Sequence, residues 1–298
     1  MSQKPAPCWS HGREVTTSSK VLECSSPVST WRNRKLSAQM RLNTRLLGLV
    51  SCLKARHSLA MDMTCKVLNL PGGGSGRCSS RPTRDIKGWK EILNTSLGIL
   101  QQGGVIGVPT DTIYGIACLA QNSQSISNIY NVKGRNGTKP LAICVGNVED
   151  IYRYCQVNVP DQLLRDLLPG PVTLVMERSG RLNKELNPFT SLVGVRIPDH
   201  AFIRQLAEVC SEPLALTSAN ISSQESTLTV EEFRDLWPKL SLVVDGGPIG
   251  EVSSPECRLG STVVDLSVPG KFIVIRDGCS LIPTVDILTN TYGLLPNS

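Results

Sequence analysis

The chain has 298 residues, 40% of them hydrophobic and 19% charged, with a formal net charge of +6. That apolar share is enough for a packed core, and the length suits one large domain or two small ones. The eleven cysteines are irregularly spaced with no C-x-x-C pair, so they read as reduced intracellular thiols rather than a zinc or disulfide framework, and no run approaches the roughly 18 apolar residues of a membrane span.

The charge is uneven. Residues 1–60 carry ten Lys/Arg against only Glu14 and Glu23, which leaves the rest of the chain slightly acidic. A near-neutral folded part argues against a broad nucleic-acid footprint. Residues 1–80 are rich in Ser, Thr, Arg and Lys, show no strand rhythm, and are expected to form a disordered basic leader. Within them Met40–Leu59 has the pattern of a basic amphipathic helix, as mitochondrial transit segments do; a plain disordered tail is the alternative. Met61 offers an internal start that would skip this leader, so both mitochondrion and cytoplasm are expected locations. Pro71–Arg77 (PGGGSGR) reads as a flexible linker, and no Gly-Lys-Ser/Thr follows it at P-loop spacing.

Residues 81–298 are expected to form one α/β domain, a twisted mixed sheet with flanking helices and a concave ligand cleft. Trp89, Ile92, Leu93, Leu97 and Leu100 recur near helical spacing up to a stop at Gly103-Gly104, and VIGVP follows as a short buried strand. Ile126, Ile129, Tyr130 and Lys133 mark the next helix, closed by Gly134, and PLAICV the next strand. Helices are predicted over Val148–Tyr154, Pro160–Leu168, His200–Cys210 and Val230–Trp237, with Asp199 capping the third and a Thr229/Glu232 capping box opening the last. Strands are predicted over Val172–Glu177, Val193–Ile197, Leu214–Thr217, Leu242–Asp245, Ser261–Leu266 and Phe272–Arg276.

Several familiar chemistries are missing from the sequence. There is no Walker A, G-x-G-x-x-G, H-E-x-x-H or G-x-S-x-G pattern, and His200 is the only histidine after the leader. Polar clusters at strand ends remain. PTDTIYG (Pro109–Gly115) puts Thr110, Asp111, Thr112 and Tyr114 directly after an apolar strand, where α/β proteins bind ligands; a capped turn is the bland reading. KGRNGTKP places Lys133, Arg135 and Lys139 on a Gly-loosened loop, able to grip phosphate or simply to face solvent. VGVRIP sets Arg196 in or at the end of an apolar strand, where a buried arginine needs an anionic partner or ligand. LALTSAN presents Thr217, Ser218 and Asn220, RLGSTVVDL presents Ser261 and Thr262, and FIVIRDG ends on Arg276. Singly each suits a cap or a structural ion pair; together they suit a small anionic ligand.

These residues resemble the YrdC family over roughly residues 85–295: PTDTIYG, the K-x-R of Lys133 and Arg135, KPLAI, LLPGPVTLVMER, VGVRIPDH, the S-x-N of Ser218 and Asn220, and CRLGSTVVDL. K-x-R followed by S-x-N is the most specific part. The resemblance implies threonylcarbamoyl-AMP synthase activity, in which L-threonine, bicarbonate and ATP give threonylcarbamoyl-adenylate and pyrophosphate. The product would pass to a tRNA threonylcarbamoyltransferase, a KEOPS-type complex or its mitochondrial counterpart, for ANN-decoding tRNAs. Carried over, Thr112, Arg196, Ser218 and Ser261 would bind threonine, and Lys133 and Arg135 would be catalytic. Arg135, Lys139, Leu192, Asn220, Thr227 and Arg276 would face ATP, with Mg2+ arriving on the triphosphate. Cys144 stands where many relatives have a histidine, a departure from the pattern. The chain resembles the single-domain form. The alternative from another class is a double-stranded RNA- or tRNA-binding module without catalysis, against which the charge tally and the 4% aromatic content weigh.

Overall fold

The computed structural model describes residues 65–72, 82–134, 139–221 and 224–297, apart from the side chains of 82–85. The chain divides into Met1–Met61 and Asp62–Ser298, and every described residue belongs to the second unit. The expected transit segment Met40–Leu59, most of the linker and Arg135 lie outside the described residues.

The strands are β1 (Lys66–Asn69), β2 (Ile106–Val108), β3 (Gly115–Leu119), β4 (Ala142–Cys144), β5 (Cys155–Gln156), β6 (Val172–Arg178), β7 (Leu192–Arg196), β8 (Leu214–Ser218), β9 (Leu242–Asp245), β10 (Thr262–Asp265), β11 (Lys271–Arg276) and β12 (Leu295–Pro296). They form one mixed sheet in the order β1-β9-β2-β3-β8-β4-β7-β6-β10-β11-β12, with β5 alongside β6. The helices are α1 (Pro82–Gln101), α2 (Ser123–Lys133), α3 (Val148–Tyr154), α4 (Asp161–Leu167), α5 (Ala201–Cys210) and α6 (Leu281–Asp286). This is the mixed α/β sheet with flanking helices that the alternating pattern predicts.

Local chemistry explains the boundaries that matter for the site. Asn122 caps α2 by accepting the Ser125 N–H at 3.0 Å, and Gly134 ends it at φ 62°, a conformation that costs glycine nothing. Lys133 is thereby fixed as the last residue of a helix. Strand side chains alternate between faces, so one apolar set (Ile116, Ile143, Val195, Leu174, Val264) packs on one side. The other set (Ala117, Cys144, Leu214, Leu216, Val244) packs under α1 and α5, which meet through Trp89 edge-on to Phe202 at 5.6 Å.

Four expectations need correction. Lys66–Asn69, inside the segment expected to lack strands, pairs in parallel with β9 over the full strand; its alternation is too short to read, and β9 supplies the partner. Gly115–Leu119, not predicted as a strand, pairs antiparallel with both β2 and β8. The Val230–Trp237 helix is a 3-10 segment, Glu231–Lys239, with Val230 at its start and no side-chain cap; of the capping box only the Glu232 half forms, its carboxylate accepting the Thr229 N–H as well as Leu228 N–H at 2.9 Å and Arg258 at 2.9 Å. The residue at the start of α5 is His200, without a side-chain cap, and Asp199 lies 3.8 Å from Arg204.

Candidate active site

The centre of the sheet has an open floor. Ala142, Gly194 and Val175 stand side by side on adjacent strands, on the face that α1 and α5 cover elsewhere, and all three stay partly exposed although they lie mid-sheet. A Cβ on Gly194 would come within 3.1 Å of Thr173 Cγ2, so the floor is lined by small groups and backbone, as close approach of a ligand requires. Polar clusters rise at both ends of these strands.

At one end lie Arg196, Thr173, Ser261 and Arg276. Arg196 closes β7 beside Cys144. The Ser261 hydroxyl lies 2.9 Å from that of Thr173. Arg276, although exposed along its flank, donates to Ser261 O at 2.7 Å and to Ser261 Oγ at 2.9 Å. Burial and the like charge of Arg196 hold its guanidinium below its ordinary pKa. Two guanidiniums close enough for one to feel the other's charge form a receptive seat for an anion.

At the other end Lys133 is buried at 1% exposure. Its ammonium donates to Ser218 O at 2.7 Å and to Asn220 Oδ1 at 3.0 Å, and also bonds Asn220 O. The K-x-R lysine thus grips the S-x-N turn directly. Thr227 closes the same turn, its hydroxyl donating to Ala219 O at 3.2 Å. Leu192 starts β7 at this end, opposite Arg196, and Lys139 is exposed shortly before β4.

The PTDTIYG segment joins the two ends. Thr110 shapes its turn, accepting the Thr112 and Ile113 N–H groups at 3.2 Å and donating to Ile113 O at 2.7 Å. The tip then reaches β7, three strands from β3 in the sheet order: Arg196 Nη2 donates to Thr112 Oγ1 at 2.7 Å and to Asp111 Oδ1 at 2.5 Å. The return limb bonds to the S-x-N turn, with Ala219 N–H donating to Tyr114 O at 2.9 Å. Tyr114, expected at the ligand edge, points into the core instead, packed on Phe233 at 5.5 Å with its hydroxyl donating to Gly247 O at 2.7 Å.

Thr112, Arg196 and Ser261 thus gather at one end of the floor, and Lys133, Ser218, Asn220, Thr227, Lys139 and Leu192 at or near the other. Arg276, expected beside ATP, sits on Ser261. Sequence reasoning passed over Thr173, whose only signal was a hydroxyl inside an apolar strand; Asp111, expected at the ligand edge with Thr110 and Thr112 but given no role of its own there, pairs with Arg196. Cys144 is fully buried next to Arg196, and burial pushes its thiol up to about 12, so it is an inert neighbour rather than a nucleophile. Two hollows, one lined by Gly103, Asn131 and Lys239 and one by Asn147, Arg153 and Glu208, share no residue with this site. Among the described residues no group of three His, Cys, Asp or Glu could hold a metal ion.

Fold and site together define a mixed α/β protein whose open sheet face, ringed by cationic and hydroxyl groups, suits small anionic substrates. The family model described as telomere recombination (Sua5, YciO, YrdC) matches residues 98–278, and the chain belongs to that family. It is 63% identical over 262 residues to the Bos taurus threonylcarbamoyl-AMP synthase, covering 88% of this chain and 94% of that protein. Against the Homo sapiens protein of the same name it is 62% identical over 232 residues, covering 78% and 82%. The solved structure of P. abyssi Sua5 complexed with L-threonine superposes with a TM-score of 0.60 at 25% identity, over 69% of this chain. This chain spans 58% of that protein's length.

Proposed function

We propose that this chain is a threonylcarbamoyl-AMP synthase, which joins L-threonine, bicarbonate and ATP into threonylcarbamoyl-adenylate with release of pyrophosphate and water. The observation that carries this reading is the two-ended site: a guanidinium and hydroxyl cluster at Arg196, Thr112 and Ser261 across an open floor from the Lys133–Ser218–Asn220 cluster. The 62–63% identity to proteins of that name supports it.

In this reading threonine's amine and bicarbonate form a carbamate with loss of water. One carbamate oxygen then attacks the α-phosphorus of ATP, and the bond to the β-phosphate oxygen breaks to release pyrophosphate. Arg196, Thr112 and Ser261 hold the amino acid. Lys133, with Arg135 and Lys139, attends the phosphates, while Asn220, Thr227 and Leu192 border the nucleotide; Arg276, seated on Ser261, adds its charge at the amino-acid end. Lys133 also fixes the turn that carries Ser218 and Asn220, so Ser218, expected on the amino acid, stands at this phosphate end. Orientation and charge stabilisation do the work, without a covalent intermediate on the protein. Magnesium enters as part of the nucleotide substrate, held by phosphate and water.

The product passes to a tRNA threonylcarbamoyltransferase, a KEOPS-type complex in the cytoplasm or its mitochondrial counterpart, and the basic leader directs part of the protein to the mitochondrion. The decisive assay follows pyrophosphate release from ATP. Release should require both threonine and bicarbonate; release without threonine, or tight RNA binding with no threonine-dependent turnover, would overturn the reading.

A further inference from the structure

The ion pair at the threonine end of the site is incomplete. Asp111 and Arg196 side chains are only 11% and 7% exposed, yet they meet through one oxygen and one nitrogen, Nη2 to Oδ1, rather than through the two parallel bonds that a guanidinium and a carboxylate favour. Asp111 Oδ2 and Arg196 Nε are each buried without a partner. A buried carboxylate oxygen and a buried guanidinium N–H are seldom left unanswered. Here both belong to one pair, one atom able only to accept and the other only to donate.

Nearby groups do not answer them. His200 stands close enough for the Asp111 charge to act on it, but burial outweighs that pull and lowers the imidazole pKa, so the ring does not become the missing cation. Its own Nδ1 is also buried and unpartnered. Thr112 Oγ1 is already engaged by Arg196.

The complement of a free carboxylate oxygen beside a free guanidinium N–H is a group with a cation and a carboxylate on one carbon, which describes an α-amino acid zwitterion. We propose that Asp111 binds the α-ammonium group of the amino-acid substrate through Oδ2 while Arg196 takes the α-carboxylate through Nε, so that the two residues form one clamp. The inference rests on the synthase reading above and adds a specificity-determining residue to it. It explains why an acid stands in a site otherwise built for anions: without Asp111 the site would accept any small carboxylate, and with it the site selects one that carries a neighbouring cation. Conversion to the carbamate leaves an N–H on the same nitrogen, so the contact can persist into the next step.

The test uses the full chain and two ligands, L-threonine and the dihydroxybutanoate of matching configuration, in which a hydroxyl replaces the ammonium. Binding of each is measured by calorimetry to wild type and to Asp111→Asn, with melting temperatures recorded for both proteins. Wild type should prefer threonine by roughly 10- to 100-fold, the range of a charge-assisted hydrogen bond. Asp111→Asn should shrink that preference to about 3-fold or less while binding the dihydroxy acid almost as wild type does. If the variant weakens both ligands equally, Asp111 only positions Arg196 and the clamp is refuted, although turnover of threonine by wild type would leave the synthase reading intact. Should the variant fail to fold, wild type alone decides: equal affinity for the two ligands overturns the clamp. A wild-type protein that neither binds threonine nor releases pyrophosphate with it overturns both.

Discussion

Gly278 sets a sharp test of how the Arg196–Ser261 end of the site is built. It follows β11 and is buried against the start of β10. A Cβ there would lie 2.3 Å from Ser261 C and Thr262 N and 2.5 Å from Ser261 O. Ordinary van der Waals contact begins at 3.4 Å, so Gly278→Ala forces two backbone segments apart by about 1 Å, with no flexible side chain to absorb the shift. Those segments are stitched by Cys279 N–H to Gly260 O at 2.9 Å, Ser280 N–H to Thr262 Oγ1 at 3.1 Å and Arg276 to Ser261 O at 2.7 Å. Overpacking of this kind costs about 1–3 kcal/mol, and at about 2–4 °C per kcal/mol for a domain of this size the melting temperature should fall by roughly 2–12 °C. Because Ser261 and Arg276 move together, the threonine concentration for half-maximal pyrophosphate release should rise by roughly 10- to 100-fold. Gly98→Ala is the control, since a Cβ there meets nothing within 4 Å, and in mid-helix it should stabilise by about 0.5–1 kcal/mol. A Gly278→Ala protein with wild-type melting and wild-type threonine saturation would refute the reasoning.

Replacing Lys133 by Met keeps its length but takes the lysine donor from the backbone acceptors at Ser218 O and Asn220 O inside the protein. The expected cost is about 3–5 kcal/mol by denaturant titration, with a loss of pyrophosphate release of about 100-fold or more; a variant within about 0.5 kcal/mol of wild type would show that the turn holds itself. The buried thiols give a pH dependence. Burial pushes Cys118, Cys144 and Cys155 from 9.0 up to about 12, so between those values the unfolded chain loses protons that the folded one keeps. Their contribution is whole below pH 9 and is lost as pH climbs towards 12, at up to about 1.4 kcal/mol per pH unit for each thiol. In reducing buffer the urea midpoint should fall from pH 8.5 towards pH 10.5, and fall less in a variant carrying alanine at all three positions; equal slopes would refute the assignment.

Local pattern is enough to read much of this fold. The periodicity of α1 and α2, the Gly134 stop and the apolar strands β6, β7, β8 and β9 follow from side-chain spacing and from conformations that glycine alone adopts freely. β1 and β3 are not legible from local pattern: Lys66 and Asn69 bracket β1 and Gly115 opens β3, so their strand state is secured by pairing, β1 with β9 and β3 with β2 and β8.

The candidate site divides along the same line. PTDTIYG, K-x-R, S-x-N and Arg196 are legible because charged and hydroxyl residues beside apolar strands have few structural uses. The sequence by itself therefore determined which polar residues stand at the ends of apolar strands and that cations and hydroxyls predominate among them. Which of them meet was decided by tertiary structure alone. The antiparallel register of β10 and β11 brings Arg276 onto Ser261, while the path of the PTDTIYG loop turns Tyr114 into the core and carries Asp111 across the sheet to Arg196. Such contacts depend on strand order and on the path of one loop, and neither leaves a periodic trace in the chain.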